Sequence, residues 1–125
     1  FTISIDIPPR ILSPNAARGG HWSGKNNAVK VQRTQGWALA QEQIGAKSIK
    51  TPWKKARAEL CWYAARECWI PDAANTLGST KALVDGVCDA LGLNDKYLEW
   101  GRIMRAVDPE SPMVVLMFEE IKENA

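Results

Sequence analysis

The run MVVLMFEEI, residues 113–121, constrains this chain more than any other feature. It is apolar at nearly every position and short, which reads as a buried or central strand. A central strand must be hydrogen-bonded on both sides, so the rest of the chain has to supply partners. Three other segments qualify. TISIDI, residues 2–7, alternates Ile3, Ile5 and Ile7 with polar residues, the period of a half-buried strand, and Pro8-Pro9 stops it. ARAELCWYAAREC alternates Ala58, Leu60 and Trp62. In YLEWGRIMRAVD, Leu98, Trp100 and Ile103 suggest a strand with a bulge at Gly101.

Between these strands the period changes to that of helices. Trp37, Ala40 and Ile44 recur at spacings of three and four, predicting a helix over 27–46 with Asn26 or Asn27 as its cap and Gly36 as a weak point. Leu83, Val84, Val87, Cys88 and Leu91 predict a second helix over 79–91, with Ser79 or Thr80 near its cap and Gly92 just past its end. The order is therefore β-α-β-α-β-β. The economical arrangement is an α+β two-layer fold, a mixed four-stranded sheet with two helices on one face, in a single domain over 1–125.

With 125 residues, 46% of them apolar and 24% charged, the composition argues against a disordered chain and a folded domain is expected. No apolar run approaches the roughly 20 residues of a membrane span. The opening residues lack a basic segment followed by an apolar one, so a cytoplasmic protein without a signal peptide is expected. Cys61, Cys68 and Cys88 form no C-x-x-C and no zinc-like group with His21, so they are expected to be reduced, with Cys61 and Cys88 on apolar faces. Net charge is only +2, but ten of the basic residues precede position 60 while Asp6, Glu42 and Glu59 are the only acids there. That half can meet an anion or simply be a solvated surface. Of six tryptophans, Trp62 and Trp100 read as core, whereas Trp22 lies in a Gly-rich polar loop, where burial, a subunit contact and stacking on a base all remain open.

The acids gather in PDAANTLGSTKALVDGVCDALGLND, residues 71–95. Helical spacing puts Lys81, Asp85 and Asp89 in an i, i+4, i+8 line bordering the apolar face, while Asp72 precedes that helix and Asp95 follows it. A structural role is available for most of them. Lys81 and Asp85 can pair, Asp72 can open a turn after Pro71, and Asn94-Asp95 can form a turn before a strand. Asp89 is the exception, because the helix dipole disfavours a negative charge in the last turn. Collectively, carboxylates on a loop and at the start of a strand can hold Mg²⁺, which takes one or two of them and keeps waters for a substrate phosphate. A lysine beside such an ion can neutralise charge on a phosphate in transfer.

These residues resemble the RusA family of Holliday junction resolvases, small dimeric endonucleases common in prophages. The family signature is roughly D-x-D-N, a lysine, then D-A-L or D-G-L, and a D-D pair about ten residues later. Here it stands as Asp72-Ala73-Ala74-Asn75, Lys81, Asp85-Gly86-Val87 and Asn94-Asp95. TISIDIPPR, SPNAARGGHW and MVVLMFEEI resemble the family's opening strand, Asn-containing loop and closing strand, so the likeness runs along nearly the whole chain. It implies a Mg²⁺-dependent endonuclease that makes paired nicks in a four-way DNA junction. Asp72 and Asp95 would hold the metal with Asp85 as the extra ligand, Lys81 would contact the scissile phosphate, Asn75 belongs to the motif, and Asp89 flanks it as a further carboxylate. Arg18, Lys25, Lys30 and Arg33 become candidates for backbone phosphates, and His21 and Trp22 for the junction itself. A junction has near two-fold symmetry and needs two cuts, so a homodimer is the expected assembly. The main departure is Ala74, where the family has an aspartate. Either Asp85 or Asp89 supplies the missing carboxylate, or the chain binds branched DNA without cutting it.

Overall fold

In a computed structural model, residues 1–13 and 22–122 are described, except for the side chains of Trp22 and Ser23. The elements are β1 (Thr2–Ile5), α1 (Trp22–Ala46), β2 (Ala56–Ala64), α2 (Ala73–Leu91), β3 (Leu98–Val107) and β4 (Met113–Glu120). The predicted α+β class and element order are both found. The sheet order is β1-β4-β2-β3, so of the two readings of the apolar run the central one holds: β4 is antiparallel to β1 on one side and to β2 on the other. β2 and β3 are parallel, joined by α2 as the crossover. Their register slips between Ala58 and Leu60, where Gly101 and Arg102 stand opposite a single residue, which is the bulge expected at Gly101.

Burial alternates along β2, so only one sheet face is fully covered, and the helices cover it. Leu60, Val114, Leu116 and Phe118 from the sheet pack against Leu83, Val87 and Leu91 of α2, all at most 2% exposed. Ala40 of α1 is fully buried, and Trp53, in the loop before β2, joins the same core.

The helices begin earlier than their apolar period does. α1 starts at Trp22, so Asn26 and Asn27 lie inside it, and Trp37 is 47% exposed rather than core. α2 starts at Ala73, six residues before the predicted boundary. Its cap is Asp72, whose Oδ1 accepts from the Asn75 backbone N–H at 2.8 Å. Ser79 and Thr80 are instead buried in the helix, where the Thr80 hydroxyl donates to the Thr76 carbonyl at 2.9 Å. The far end stops as expected: Gly92 is left-handed at φ 62°, with its N–H on the Asp89 carbonyl and the Leu93 N–H on the Cys88 carbonyl, a Schellman closure.

Candidate functional site

From the middle of α2 to its last turn the line of charges predicted from helical spacing is present, and each member has found a partner. The Lys81 ammonium lies 3.3 Å from both carboxylate oxygens of Asp85 and 3.9 Å from Asp95, which follows the helix by four residues. Asp89 receives a two-pronged contact from Arg33 of α1, Nε to Oδ2 at 2.7 Å and Nη2 to Oδ1 at 2.9 Å. That contact resolves the unfavourable charge in the last turn, because a guanidinium from the neighbouring helix outweighs the dipole. In return, hydrogen bonding by Asp89 raises the Arg33 pKa above its ordinary value, helped by the charges of Asp89, Asp85 and Asp95.

The short turn that carries Asp95 is itself capped. Asn94 Oδ1 accepts from the Lys96 backbone N–H at 3.1 Å and so starts the single 3₁₀ turn Asp95–Tyr97, which hands the chain to β3. Asp85, Asp89, Asn94 and Asp95 line one hollow together with Arg33 and Cys88. Asp85 and Asp95 also line a second hollow, with Lys81 and Trp100. Asp85 is the more sheltered of the two, its side chain 22% exposed against 59% for Asp95.

Cys88 lies directly beneath this cluster. Burial, and then the negative charges of Asp85, Asp95 and Asp89, push its thiol up to about 12. Because the folded value is raised, the thiol contributes stability below the ordinary pKa of about 8.5, and that contribution is lost as pH climbs toward 12. Cys68 is exposed and Cys61 half-buried. Titration of the native protein with a thiol-reactive disulfide at pH 8 is therefore expected to modify Cys68 quickly and Cys61 more slowly, and Cys88 only after unfolding. A fast phase that disappears in Cys88→Ser would contradict the burial.

Asp72 stands elsewhere. It caps the opposite end of α2, nine residues before Lys81 and thirteen before Asp85. At 1.5 Å per residue its Cα is about 13 Å from the level of Lys81 and about 20 Å from that of Asp85. The sheet agrees, since β2 runs toward Asp72 and the parallel β3 starts beside the start of β2, just after Asp95. The expectation that Asp72 and Asp95 grip one ion is thus not met within one chain: Asp95 sits at the level of Lys81 and Asp85, several turns of α2 away from Asp72. Among the described residues no three His, Cys, Asp or Glu side chains converge as metal ligands. Asp85 and Asp95 are the carboxylates brought together around a shared cation, at present the Lys81 ammonium.

Asn75 belongs to the Asp72 end, where its side-chain oxygen accepts from the Ser13 hydroxyl at 3.5 Å. Of the residues expected to meet DNA, Arg18 and His21 lie outside the described residues, as does the Trp22 side chain. Lys25 is half-buried and Lys30 exposed on α1, while Arg33 is committed to Asp89. A basic cleft beside the acidic hollow was not expected from sequence. It is lined by Lys54, Lys55, Lys122 and Tyr97, three segments remote in the chain, and shares Asn94 with the hollow.

Among the described residues no helix is long and apolar enough to cross a membrane. No protein-family model matches the sequence, and no solved structure matches it. An uncharacterized protein of Xylella fastidiosa is 32% identical over 97 residues, covering 76% of this chain. The matched region spans 60% of that relative's length.

Proposed function

We propose that this chain is a Mg²⁺-dependent endodeoxyribonuclease of the RusA type that cuts four-way DNA junctions, with its chemistry at the C-terminal end of α2. The observation that carries this reading is the meeting of Lys81, Asp85 and Asp95, an ammonium and two carboxylates from a helix and the turn beyond it. Two carboxylates with open water positions are the donor set Mg²⁺ takes beside a phosphate. When bound, the ion would polarise the phosphodiester and lower the pKa of an attacking water. Asp85 and Asp95 would hold it, and Lys81, displaced from between them, would be free to meet the charge developing on the phosphate. Cys88 and Leu93 would close the floor of the hollow with apolar surface, strengthening these charge interactions by excluding water.

Two cuts across a near two-fold substrate call for two copies. The uncovered sheet face is the surface we assign to that contact. Cys61 stands between Met104 and Val115, and Tyr63 opposite Met113, with Met104 and Met117 more than 40% exposed. A second copy laid on these rows would also shield Cys61 from thiol reagents.

A second reading, a branched-DNA-binding protein without chemistry, is favoured by Ala74 and by the separation of Asp72 from Asp95. Incubating the protein with an end-labelled synthetic four-way junction distinguishes the two. Paired symmetric nicks that need Mg²⁺ and vanish with EDTA are the expected result. A retarded but uncut complex under both conditions would leave only the binding reading.

A further inference from the structure

We infer that the basic cleft beside the acidic hollow binds an unpaired DNA strand, with one base stacked on Tyr97 and its phosphates on Lys54, Lys55 and Lys122. The inference rests on the reading of the chain as a branched-DNA protein and adds a site which that reading does not require.

The cleft, of about 950 Å³, lies where the loop before β2, the turn between α2 and β3 and the residues after β4 come together. Tyr97 is 48% exposed in a turn whose neighbouring apolar residues, Leu93 and Leu98, are more fully buried. An aromatic ring left open at the mouth of a basic cleft is the arrangement that receives a base, since every base has a π-face and stacking tolerates sequence. The Lys96 ammonium sits 5.6 Å from the centre of the Tyr97 ring and adds a cation beside it, and Tyr97 is only about half covered.

The charges favour a polyanion. One carboxylate, Glu120, lines the cleft itself and lies 3.9 Å from Lys122, and a second, Glu99, lies 3.1 Å from Lys55, against three lysines in the lining. Lys54 is exposed with no ion pair among the described residues, and Lys96 adds a further positive charge. Both existing pairs are on the surface, where exchange of a carboxylate for a phosphate costs little. A duplex does not suit the site, because its bases are stacked on one another and offer no free face to Tyr97. At a branch point an unpaired base does. Asn94 forms a wall common to the cleft and the acidic hollow, so a strand seated on Tyr97 would carry its next phosphates toward Asp95.

The test is fluorescence anisotropy of the full chain with a labelled oligothymidylate of about ten nucleotides, within the site sizes of single-strand binders, and with a blunt duplex of equal length. Tyr97→Ala should weaken oligothymidylate binding about 5- to 150-fold, the scale of one base on one ring, while Tyr97→Phe stays close to the parent. Lys54→Ala should reduce the salt slope by about 0.7, the loss of one phosphate contact on a single strand. Equal affinity for the duplex, or a Tyr97→Ala protein that binds like the parent, overturns the inference. So does a Tyr97→Phe protein as weak as Tyr97→Ala. Junction cleavage is read separately: loss of cutting with this pattern intact would sink the nuclease reading alone, and the converse would sink the cleft alone.

Discussion

Gly86→Ala is expected to destabilise the protein by about 2 kcal/mol or more, although alanine is the better helix former by about 1 kcal/mol. A Cβ at position 86 would lie 1.9 Å from the Arg33 carbonyl oxygen and 2.8 Å from the Trp37 backbone nitrogen. The contact is reciprocal, because a Cβ on Gly36 would lie 2.1 Å from the Leu83 carbonyl oxygen. The helices touch backbone to backbone at these two glycines, and the obstacles are main-chain atoms that cannot rotate away. Relief requires α1 and α2 to separate, which would loosen Ala40, Leu83 and Val87 together. Gly86→Val should be worse still. Gly45→Ala is the control: nothing lies within 4 Å of its Cβ position, so it should be neutral or stabilising by up to about 1 kcal/mol. Urea denaturation of the three variants checks the order. A Gly86→Ala protein as stable as Gly45→Ala would mean that the helices do not cross so closely. Arg33 is at the same crossing, so a variant that spreads the helices should also weaken its grip on Asp89.

This crossing illustrates what was legible in the sequence and what was not. Strands declared themselves through side-chain alternation, because in a sheet covered on one face the burial period is a property of each strand alone. The run at 113–121 is the exception: it stands out by being apolar at nearly every position, without alternation, while the bulge at Gly101 shows as a glycine interrupting the alternation. Helix starts were misplaced because their first turns, rich in Ala, Asn and Gly, carry little apolar signal, and polar residues inside a helix resemble caps outside one. Gly36 read as a local weakness because propensity is local, whereas its use depends on a backbone carbonyl 47 positions away in the sequence. At the site, the Lys81–Asp85 line followed from a spacing of four, and Asp95 was within reach because only a tight closure separates it from α2. The separation of Asp72 depended on where α2 begins: a helix from Ser79 leaves a loop that can fold back toward Asp95, but one from Ala73 does not. Arg33 stands in the sequence as a candidate for backbone phosphate because nothing in α1 marks which of its basic residues faces α2. The basic cleft was hidden for a similar reason, being assembled from lysines at 54, 55 and 122 that meet only once the sheet has formed.

Asp95→Asn is expected to slow junction cleavage about 100-fold or more at saturating Mg²⁺, the scale of removing one group that stabilises transition-state charge. Lys81→Met, which keeps the apolar stem and deletes the ammonium, should do the same while leaving Mg²⁺ affinity unchanged or higher, since it removes the cation now lying between Asp85 and Asp95. Asp72 requires a pair of variants, because its carboxylate already has a structural task. Asparagine caps a helix about as well as aspartate, so Asp72→Asn should keep the bond to the Asn75 N–H and with it the fold. Asp72→Ala should lose about 0.5–2 kcal/mol by the same measure. If the cap is all that Asp72 provides, Asp72→Asn cuts at the parental rate. If Asp72→Asn is folded but inactive while Asp95→Asn cuts normally, the chemistry lies at the N-terminal end of α2, and the assignment to Lys81, Asp85 and Asp95 is wrong. If both are inactive alone but a mixture of the two cuts, each site draws Asp72 from one copy and Asp95 from the other, the arrangement in which carboxylates at opposite ends of a helix can meet at one ion. Single-turnover rates on a labelled junction, with unfolding midpoints for each variant, separate these outcomes.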